Sequence, residues 1–254
     1  MKISVVQPEL RWEDKNFNLM RLEEAIKPYY NDSEIIILPE MFATGFTMNL
    51  SLGEEMESTT LAWMKEQAIK GGFAVCGSYT ALGDGRAFNR LAFVTRSSEH
   101  FYDKRHLFSM GEEDKFFTAG QKRTIINYKG WRISPFICYD LRFPVWSRNR
   151  IEYDLAIYVA SWPEPRISVW NTLLRARAIE NQCYVAGSNR IGTDGNRVRH
   201  NGMSQIIDPK GELIISAGTN EEKVITADLS LAELTEFRQK FNVLRDMDDF
   251  SITI

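Results

Sequence analysis

The sequence predicts a single α/β domain over residues 1–254, and three observations favour this fold class. Short, almost wholly apolar runs such as Ile35-Ile36-Ile37 indicate strands covered on both faces, as in a parallel or sandwich-core sheet. Segments with apolar residues at helical spacing lie between these runs. No stretch rich in Pro, Gly or Ser divides the chain, although its length would also fit two small domains.

The composition is that of an ordinary globular protein, with 44% hydrophobic and 26% charged residues. A formal net charge of -3 provides no basic field for nucleic acid. Cys76, Cys138 and Cys183 are odd in number and lack C-x-x-C spacing, so the sequence predicts neither a disulfide framework nor a zinc site, and a reducing cytoplasm is the expected location. No run approaches the roughly 18 apolar residues of a membrane span. The apolar run before Gln7-Pro8 is too short for a signal peptide.

The N-terminal half alternates predicted strands and helices. Residues 2–7 form the first strand, and a helix over residues 19–29 follows, with Asp14 or Asn16 as its N-cap. The strand over residues 34–38 ends in Pro39-Glu40, and residues 41–58 are predicted to form a loop beside a cleft. A helix over residues 61–69 is closed by glycines at 71–72, and strands at 73–80 and 91–95 form a hairpin around residues 83–85.

The C-terminal half continues this alternation. Strands are predicted over residues 131–138, 154–161, 183–188 and 224–227. Helices are predicted over residues 170–181 and 231–241, a turn at 192–195, and a hairpin from residues 203–207 and 212–216. Residues 242–254 are predicted to form a tail.

Cys138 stands where an apolar strand gives way to polar residues, at the stretch F-I-C-Y-D-L-R-F-P-V-W. Ligands of α/β sheets gather at the carboxyl ends of strands, and a thiolate is a strong nucleophile once a base takes its proton. The alternative is that Cys138 is a small buried hydrophobe, which would leave Tyr139, Asp140 and Arg142 unexplained.

Two further polar residues follow predicted strands. Glu40 comes directly after a fully apolar strand, and Lys104 follows the aromatic pair Phe101-Tyr102. Both have ordinary alternatives, as a solvated loop acid and a surface lysine. An acidic cluster at residues 112–114 is usually solvated, but its nearness in sequence to Lys104 allows one acid to face inward.

The motifs L-P-E, Y-D-K and C-Y-D-x-R-F-P occur in this order along the chain. With this order and spacing, nearly the whole chain resembles the nitrilase superfamily of carbon–nitrogen hydrolases. Longer segments are similar to its omega-amidase branch, namely L-P-E-M-F-x-x-G-F, Y-D-K-R-H-L-F, I-C-Y-D-L-R-F-P-V-W-S-R and A-R-A-I-E-N-Q. The resemblance implies a four-layer α-β-β-α sandwich, a homodimer, and hydrolysis of a small-molecule amide.

The resemblance also implies residue roles. Cys138 would be the nucleophile, Glu40 the general base, and Lys104 the oxyanion donor together with the backbone N–H of Tyr139. Amide hydrolysis needs just these functions, and no metal or organic cofactor is expected.

The family has a second glutamate between the lysine and the cysteine. Glu113, seven residues before Gly120, fits its place, with Glu112 as the alternative. None of the three histidines shows ligand spacing, and only His106, which a papain-like Cys–His pair would need, lies near a motif.

The omega-amidase likeness implies a 2-oxo acid with a terminal amide, such as 2-oxoglutaramate or 2-oxosuccinamate. Its carboxylate would suit an arginine fork, and Arg142 and Arg166 are the candidates. Either could instead form a structural ion pair. The predicted pocket walls, which could equally be core, are Phe42, Tyr139, Phe143 and Trp162.

Other functions remain open at this point. Another amidase of the superfamily would act on N-carbamoyl compounds or aliphatic amides, while nitrile hydrolysis fits the motifs less well. A catalytically silent binding protein would not need to retain the costly set of buried ionic groups. A redox sensor built on Cys138 would need a resolving cysteine, but Cys76 and Cys183 both fall in predicted strands.

Overall fold

The computed structural model describes residues 1–55 and 58–252. The predicted loop over 41–58 and the predicted tail over 242–254 therefore lie partly outside the described residues. The strands are β1 Lys2–Gln7, β2 Ile35–Ile37, β3 Ala74–Gly83, β4 Arg86–Val94, β5 Glu99–Asp103, β6 Ile126–Tyr128, β7 Trp131–Ile137, β8 Leu155–Ala160, β9 Tyr184–Asn189, β10 Ile191–Thr193, β11 Arg199–Asn201, β12 Gln205–Ile207, β13 Leu213–Ser216 and β14 Lys223–Asp228. The α-helices are α1 Lys15–Ile26, α2 Thr59–Gly71, α3 Glu113–Phe116, α4 Pro144–Ser147, α5 Ile167–Asn181 and α6 Leu231–Lys240.

Two six-stranded sheets form the centre of the molecule. The first has the order β14-β1-β2-β3-β4-β5, and the second has the order β13-β12-β9-β8-β7-β6. The middle of each sheet is parallel, through β1-β2-β3 in the first and β7-β8-β9 in the second. The wholly buried sequence Ile35-Ile36-Ile37 is β2, as expected for a strand covered on both faces.

The sheets face each other across an apolar core. Ile35, Ile37 and Phe93 of the first sheet share this cluster with Phe136 and Ile157 of the second. Helices α1 and α2 cover the outer face of the first sheet, and α5 packs on the outer face of the second. The predicted four-layer α-β-β-α sandwich of the nitrilase type is therefore confirmed.

The helix ends agree with their capping signals. The carboxylate of Asp14, not the side-chain amide of Asn16, caps α1 by accepting the Phe17 N–H at 3.1 Å. Helix α2 is capped by Gly72, whose φ of 69° is left-handed and whose N–H donates to the Ala68 carbonyl. Among the described residues, no helix combines the length and apolar character that crossing a membrane requires.

Several strands differ from prediction where polar residues interrupt the apolar pattern. The hairpin strands β3 and β4 reach the turn Asp84-Gly85, beyond the predicted limits at residues 80 and 91. The short strands β5 and β6 at the sheet edges were not predicted, because neither has a long apolar run. The turn predicted at 192–195 is partly wrong, since Ile191–Thr193 pairs with Arg199–Asn201 as a two-stranded ribbon.

Strand direction brings the predicted functional residues to one edge. Strand β5 runs in the same direction as β2, because the antiparallel strand β4 separates β5 from β3. Glu40 and Lys104 therefore leave the first sheet on the same side. The second sheet presents the end of β7, with Cys138, at the same edge.

Candidate active site

A cavity of about 290 Å³ lies at this edge, with Glu40, Lys104 and Cys138 in its lining. Two of these residues follow strands of the first sheet and one follows a strand of the second. The carboxylate, the ammonium and the thiol meet only because the two sheets pack face to face. Glu40 and Lys104 are fully buried, and Cys138 is half-buried.

Three donors hold the Glu40 carboxylate. Its Oε1 accepts from Lys104 Nζ at 2.8 Å and from Asn89 Nδ2 at 2.9 Å. Its Oε2 accepts the backbone N–H of Ser161, just after β8, at 2.9 Å. A carboxylate restrained in this way presents a fixed acceptor beside the Cys138 thiol.

Lys104 lies between two buried carboxylates. Its Nζ donates to Glu113 at 2.8 and 3.1 Å as well as to Glu40, and it stands 5.1 Å from the centre of the Phe46 ring. Burial by itself would lower the pKa of Lys104, but the carboxylates of Glu113 and Glu40 outweigh burial and raise it. Lys104 is therefore a permanent cation at the floor of the cavity.

Glu113 is the acid of the 112–114 cluster that faces inward. It is fully buried, and its Oε2 also accepts the Phe108 N–H at 2.6 Å. Burial raises the pKa of Glu113, the Lys104 ammonium opposes this, and the Glu40 carboxylate adds to it. Glu112 instead points to solvent, where it pairs with Lys115. The structure thus places Glu113, not Glu112, beside Lys104.

Cys138 has an unusual backbone for a residue with a side chain. Its φ of 43° is left-handed, a conformation that costs about 1–3 kcal/mol outside glycine. Burial raises the pKa of its thiol well above the ordinary value, Glu40 raises it further, and Lys104 lowers it. The resting group is therefore a thiol, which requires a neighbouring base before it can act as a nucleophile.

Asn89 is a site residue that sequence reasoning missed. It lies in β4, is fully buried, and its Nδ2 bridges Glu40 Oε1 and Glu113 Oε1 at 2.9 and 3.0 Å. Its sequence signal is weak: an amide directly after Ala87-Phe88 in the run A-F-N-R-L. By donating to both acids, Asn89 supports a pair of like charges that would otherwise repel.

Comparison with known proteins identifies the family of this chain. Residues 2–239 match the family model described as carbon-nitrogen hydrolase. This chain belongs to the carbon–nitrogen hydrolase family.

Individual relatives of this carbon–nitrogen hydrolase are similar over nearly their full length. It is 43% identical to omega-amidase YafV of Escherichia coli (strain K12), covering 99% of this chain and 98% of the relative. It is 32% identical to 2-oxoglutaramate amidase of Bacillus subtilis (strain 168), covering 96% of each. The crystal structure of XC1258 from Xanthomonas campestris superposes with a TM-score of 0.97 at 41% identity, covering 100% of this chain and 99% of that one. That superfamily protein carries an arsenic adduct in its active site.

Two arginines of this carbon–nitrogen hydrolase, Arg142 and Arg166, line the cavity. Among the described residues, no Asp or Glu oxygen lies within 4.0 Å of the guanidinium of Arg142 or Arg166, whereas neighbouring Arg199 pairs with Glu164. Arg142 instead lies over Trp162, 5.2 Å from its ring centre, and Arg166 lies over Phe108 at 5.4 Å. Within residues 1–55 and 58–252, neither Arg142 nor Arg166 therefore forms the structural ion pair that was its alternative role.

The cavity wall agrees only in part with the aromatic residues predicted for it. Tyr139 and Trp162 line it, but Phe42 does not. Phe42 is fully buried in the core behind the first sheet, where it packs on Trp63 and against Gly77. Phe143 stacks on the His106 ring at 3.8 Å and is also absent from the lining. From the loop that carries Phe42, Phe46 and Met48 face the cavity instead.

His200 is a second cavity residue that sequence reasoning did not find. It lies in β11, is only 3% exposed, and its Nδ1 has no hydrogen-bond partner in the part of the chain that the structure describes. Burial, with a smaller effect of Arg190, lowers the pKa of His200 to about 4. The imidazole is therefore neutral at pH 7, and no sequence pattern around it indicated this position.

Within residues 1–55 and 58–252, no group of three or more His, Cys, Asp or Glu side chains is arranged to bind a metal ion.

Proposed function

We propose that the protein is an omega-amidase acting on small 2-oxo acid monoamides, such as 2-oxoglutaramate and 2-oxosuccinamate. The products would be the 2-oxo dicarboxylate and ammonia. The observation that carries the proposal is the Cys138 thiol beside the buried Glu40–Lys104 pair, in a cavity that also holds two guanidiniums without a carboxylate partner among the described residues. Similarity to omega-amidase YafV and to 2-oxoglutaramate amidase supports the same substrate class.

In the first half-reaction, Glu40 takes the proton of the Cys138 thiol as sulfur attacks the carbonyl carbon of the amide. The developing oxyanion is stabilised by the Lys104 ammonium and by the backbone N–H of Tyr139. When the tetrahedral intermediate collapses, the C–N bond breaks and Glu40 returns the proton to the departing ammonia. The remaining acyl group is bound to Cys138 as a thioester.

In the second half-reaction, a water molecule attacks the thioester carbon while Glu40 accepts its proton. The C–S bond then breaks, the carboxylic acid leaves, and the proton on Glu40 restores the Cys138 thiol. Lys104 stabilises the oxyanion of this step as well. Because Lys104 keeps its charge throughout, it needs no proton transfer in either half-reaction.

Glu113 has a supporting role in this proposal. Its carboxylate binds Lys104 Nζ and also accepts the Phe108 N–H, which connects the charged floor to the aromatic wall. The ring of Phe108 packs edge-on against Tyr139, with 5.2 Å between the ring centres. Glu113 therefore orients Lys104 and the wall of the cavity together.

The substrate carboxylate would bind Arg142 or Arg166. Guanidinium and carboxylate form paired charge-assisted hydrogen bonds, and each arginine is already oriented by an aromatic ring. Tyr139 and Trp162 would enclose the short carbon chain between this carboxylate and the amide. The proposal includes one carbon–nitrogen hydrolase domain over residues 1–254, a cytoplasmic homodimer, and catalysis without a cofactor.

The proposed function predicts that the purified protein releases ammonia from 2-oxoglutaramate and 2-oxosuccinamate. Glutamine, an N-carbamoyl amino acid, an aliphatic amide and a simple nitrile serve as comparison substrates in the same assay. The 2-oxo amides should give the highest kcat/KM, because only they combine a terminal amide with a carboxylate and an uncharged 2-position. Faster release from an N-carbamoyl compound or an aliphatic amide would replace the substrate class, and no release from any would refute the amidase proposal.

Arg142→Ala and Arg166→Ala test the carboxylate anchor. We expect at least one of them to lower kcat/KM for 2-oxoglutaramate by about 10- to 100-fold, because a hydrogen bond to a charged group contributes about 1.5–3 kcal/mol. The same variant should change turnover of an uncharged aliphatic amide little. Arg150→Ala is the matched control, since Arg150 is exposed and pairs with Asp249. Equal losses on charged and uncharged amides would argue against an anchoring role.

A further inference from the structure

Asp140 is a buried carboxylate that the proposed reaction does not use. It lies two residues after Cys138, is fully buried, and is absent from the cavity lining. A buried carboxylate without a compensating role is costly, so its contacts show what it does.

The carboxylate of Asp140 connects two segments of the chain, the end of β7 and the segment that carries Lys104. Its Oδ2 accepts the backbone N–H of Ile137 at 3.0 Å and the hydroxyl of Tyr102 at 2.7 Å. Its Oδ1 accepts the backbone N–H of His106 at 2.9 Å, and His106 Nδ1 lies 2.8 Å from the same oxygen. Ile137 ends the strand before Cys138, whereas Tyr102 and His106 flank Lys104 on either side.

The groups around Asp140 are themselves held in place. The Tyr102 hydroxyl accepts from Trp146 Nε1 at 2.9 Å and from the Arg105 N–H at 3.3 Å. The His106 ring stacks on Phe143 with 3.8 Å between the ring centres. Asp140 is therefore the centre of a rigid network, not one end of an isolated hydrogen bond.

This network lies directly behind the strained residue. Cys138 has a left-handed φ of 43°, and the bond from Ile137 N–H to Asp140 closes the turn around it. The same carboxylate joins that turn to the segment that carries Lys104. One side chain thus links the end of β7 in the second sheet to the Lys104 segment of the first sheet.

We propose that Asp140 is a positioning residue for the reaction above, which locks the turn at Cys138 to the Lys104 segment so that sulfur and ammonium face the same carbonyl group. The proposal rests on the proposed function for its turnover readout. Reaction of the Cys138 thiol with iodoacetamide provides a second readout that needs no substrate.

Asp140→Asn is the test, because it keeps the size of the side chain but replaces one acceptor oxygen by a donor. We expect kcat for 2-oxoglutaramate to fall by about 100-fold, since small displacements of reacting groups have effects of this size. KM should stay within about threefold, because Asp140 does not line the cavity. Alkylation of Cys138 by iodoacetamide should slow at least tenfold.

Asp154→Asn is the matched control. Asp154 is also a buried aspartate of the second sheet, but it precedes β8 at the opposite end from the cavity and binds Arg132 and Arg238. This variant should lower the melting temperature and leave kcat and the alkylation rate unchanged. Tyr102→Phe is a second variant of the network, and we expect it to lower kcat about tenfold. It tests the positioning role of the network if Asp140→Asn does not fold.

The outcomes separate this inference from the proposed function. Wild-type rates of turnover and alkylation in folded Asp140→Asn would overturn the positioning role, as would equal losses in Asp140→Asn and Asp154→Asn. If the wild-type protein releases no ammonia from any amide, the proposed function fails, and the alkylation rates of the same variants still test the role of Asp140.

Discussion

Replacing Cys138 with alanine is expected to lower ammonia release from 2-oxoglutaramate by at least about 10⁴-fold, because removal of the nucleophile from a catalytic set costs most of the rate enhancement. The fold should persist, since Cys138 is half-buried and alanine removes a single atom. Relief of interactions with the nearby Glu40 carboxylate should not destabilise the domain. Circular dichroism and the melting temperature would establish that the loss is chemical.

Cys183→Ala is the matched control for this experiment. Cys183 is fully buried away from the cavity, and burial raises the pKa of its thiol to about 12, so it is unreactive at neutral pH. This variant should keep its kcat while losing some stability from the small cavity created. A Cys138→Ala protein with normal turnover would refute the proposed mechanism. Loss of activity in a folded Cys183→Ala protein would argue that Cys183 has a part in catalysis and would contradict its use as an inert control.

Lys104→Met is expected to reduce kcat by at least 10²–10³-fold. An oxyanion donor typically contributes about 2.7–4 kcal/mol in the transition state, and methionine keeps the length of the side chain without its charge. KM should change much less than kcat, because the oxyanion develops only after the substrate has bound. Steady-state kinetics with 2-oxoglutaramate would measure both quantities.

The same substitution should also reduce stability. Glu40 and Glu113 are both fully buried against Lys104, so its removal leaves two carboxylates without their cation. Breaking a buried ion pair in this way typically costs about 3–5 kcal/mol, and the pKa of Glu113, already raised by burial, should rise further. Urea unfolding would measure the loss.

Lys115→Met is the control for both effects of Lys104→Met. Lys115 is exposed and pairs with exposed Glu112, so neither kcat nor stability should change noticeably. If Lys104→Met retained more than a tenth of the wild-type kcat, oxyanion stabilisation by Lys104 would be refuted. A normal kcat with a lowered melting temperature would leave Lys104 a purely structural role.

The secondary structure could be predicted from the sequence wherever the signal comes from residues next to one another in the chain. A wholly apolar run such as Ile35-Ile36-Ile37 is expected to be buried on both faces. Glycine after a helical pattern, as at the end of α2, is a typical helix C-cap. These signals depend on neighbouring residues only. Strands β5 and β6 escaped prediction because their pairing partners, not their own composition, make them strands.

The three strand-end residues were also found in the sequence, since Glu40, Lys104 and Cys138 each follow a strand and lie in recognisable motifs. The sequence did not show which of the two adjacent glutamates, Glu112 or Glu113, faces inward. Glu113 and Glu112 differ only by their rotation about a turn, which the packing of the 109–116 segment decides. Asn89 likewise reaches Glu40 and Glu113, and His200 reaches the cavity, from strands whose sequences carry no functional motif.

The sequence by itself therefore determined the layered α/β fold, the family, and the chemical types of the groups at the strand ends, because periodicity and motif order are properties of the chain. Tertiary structure decided that two sheets place these groups in one cavity, that Phe42 packs in the core, and that Arg142 and Arg166 have no carboxylate partner within the described residues. Those outcomes depend on contacts between residues far apart in sequence, and such contacts exist only once the sheets have packed.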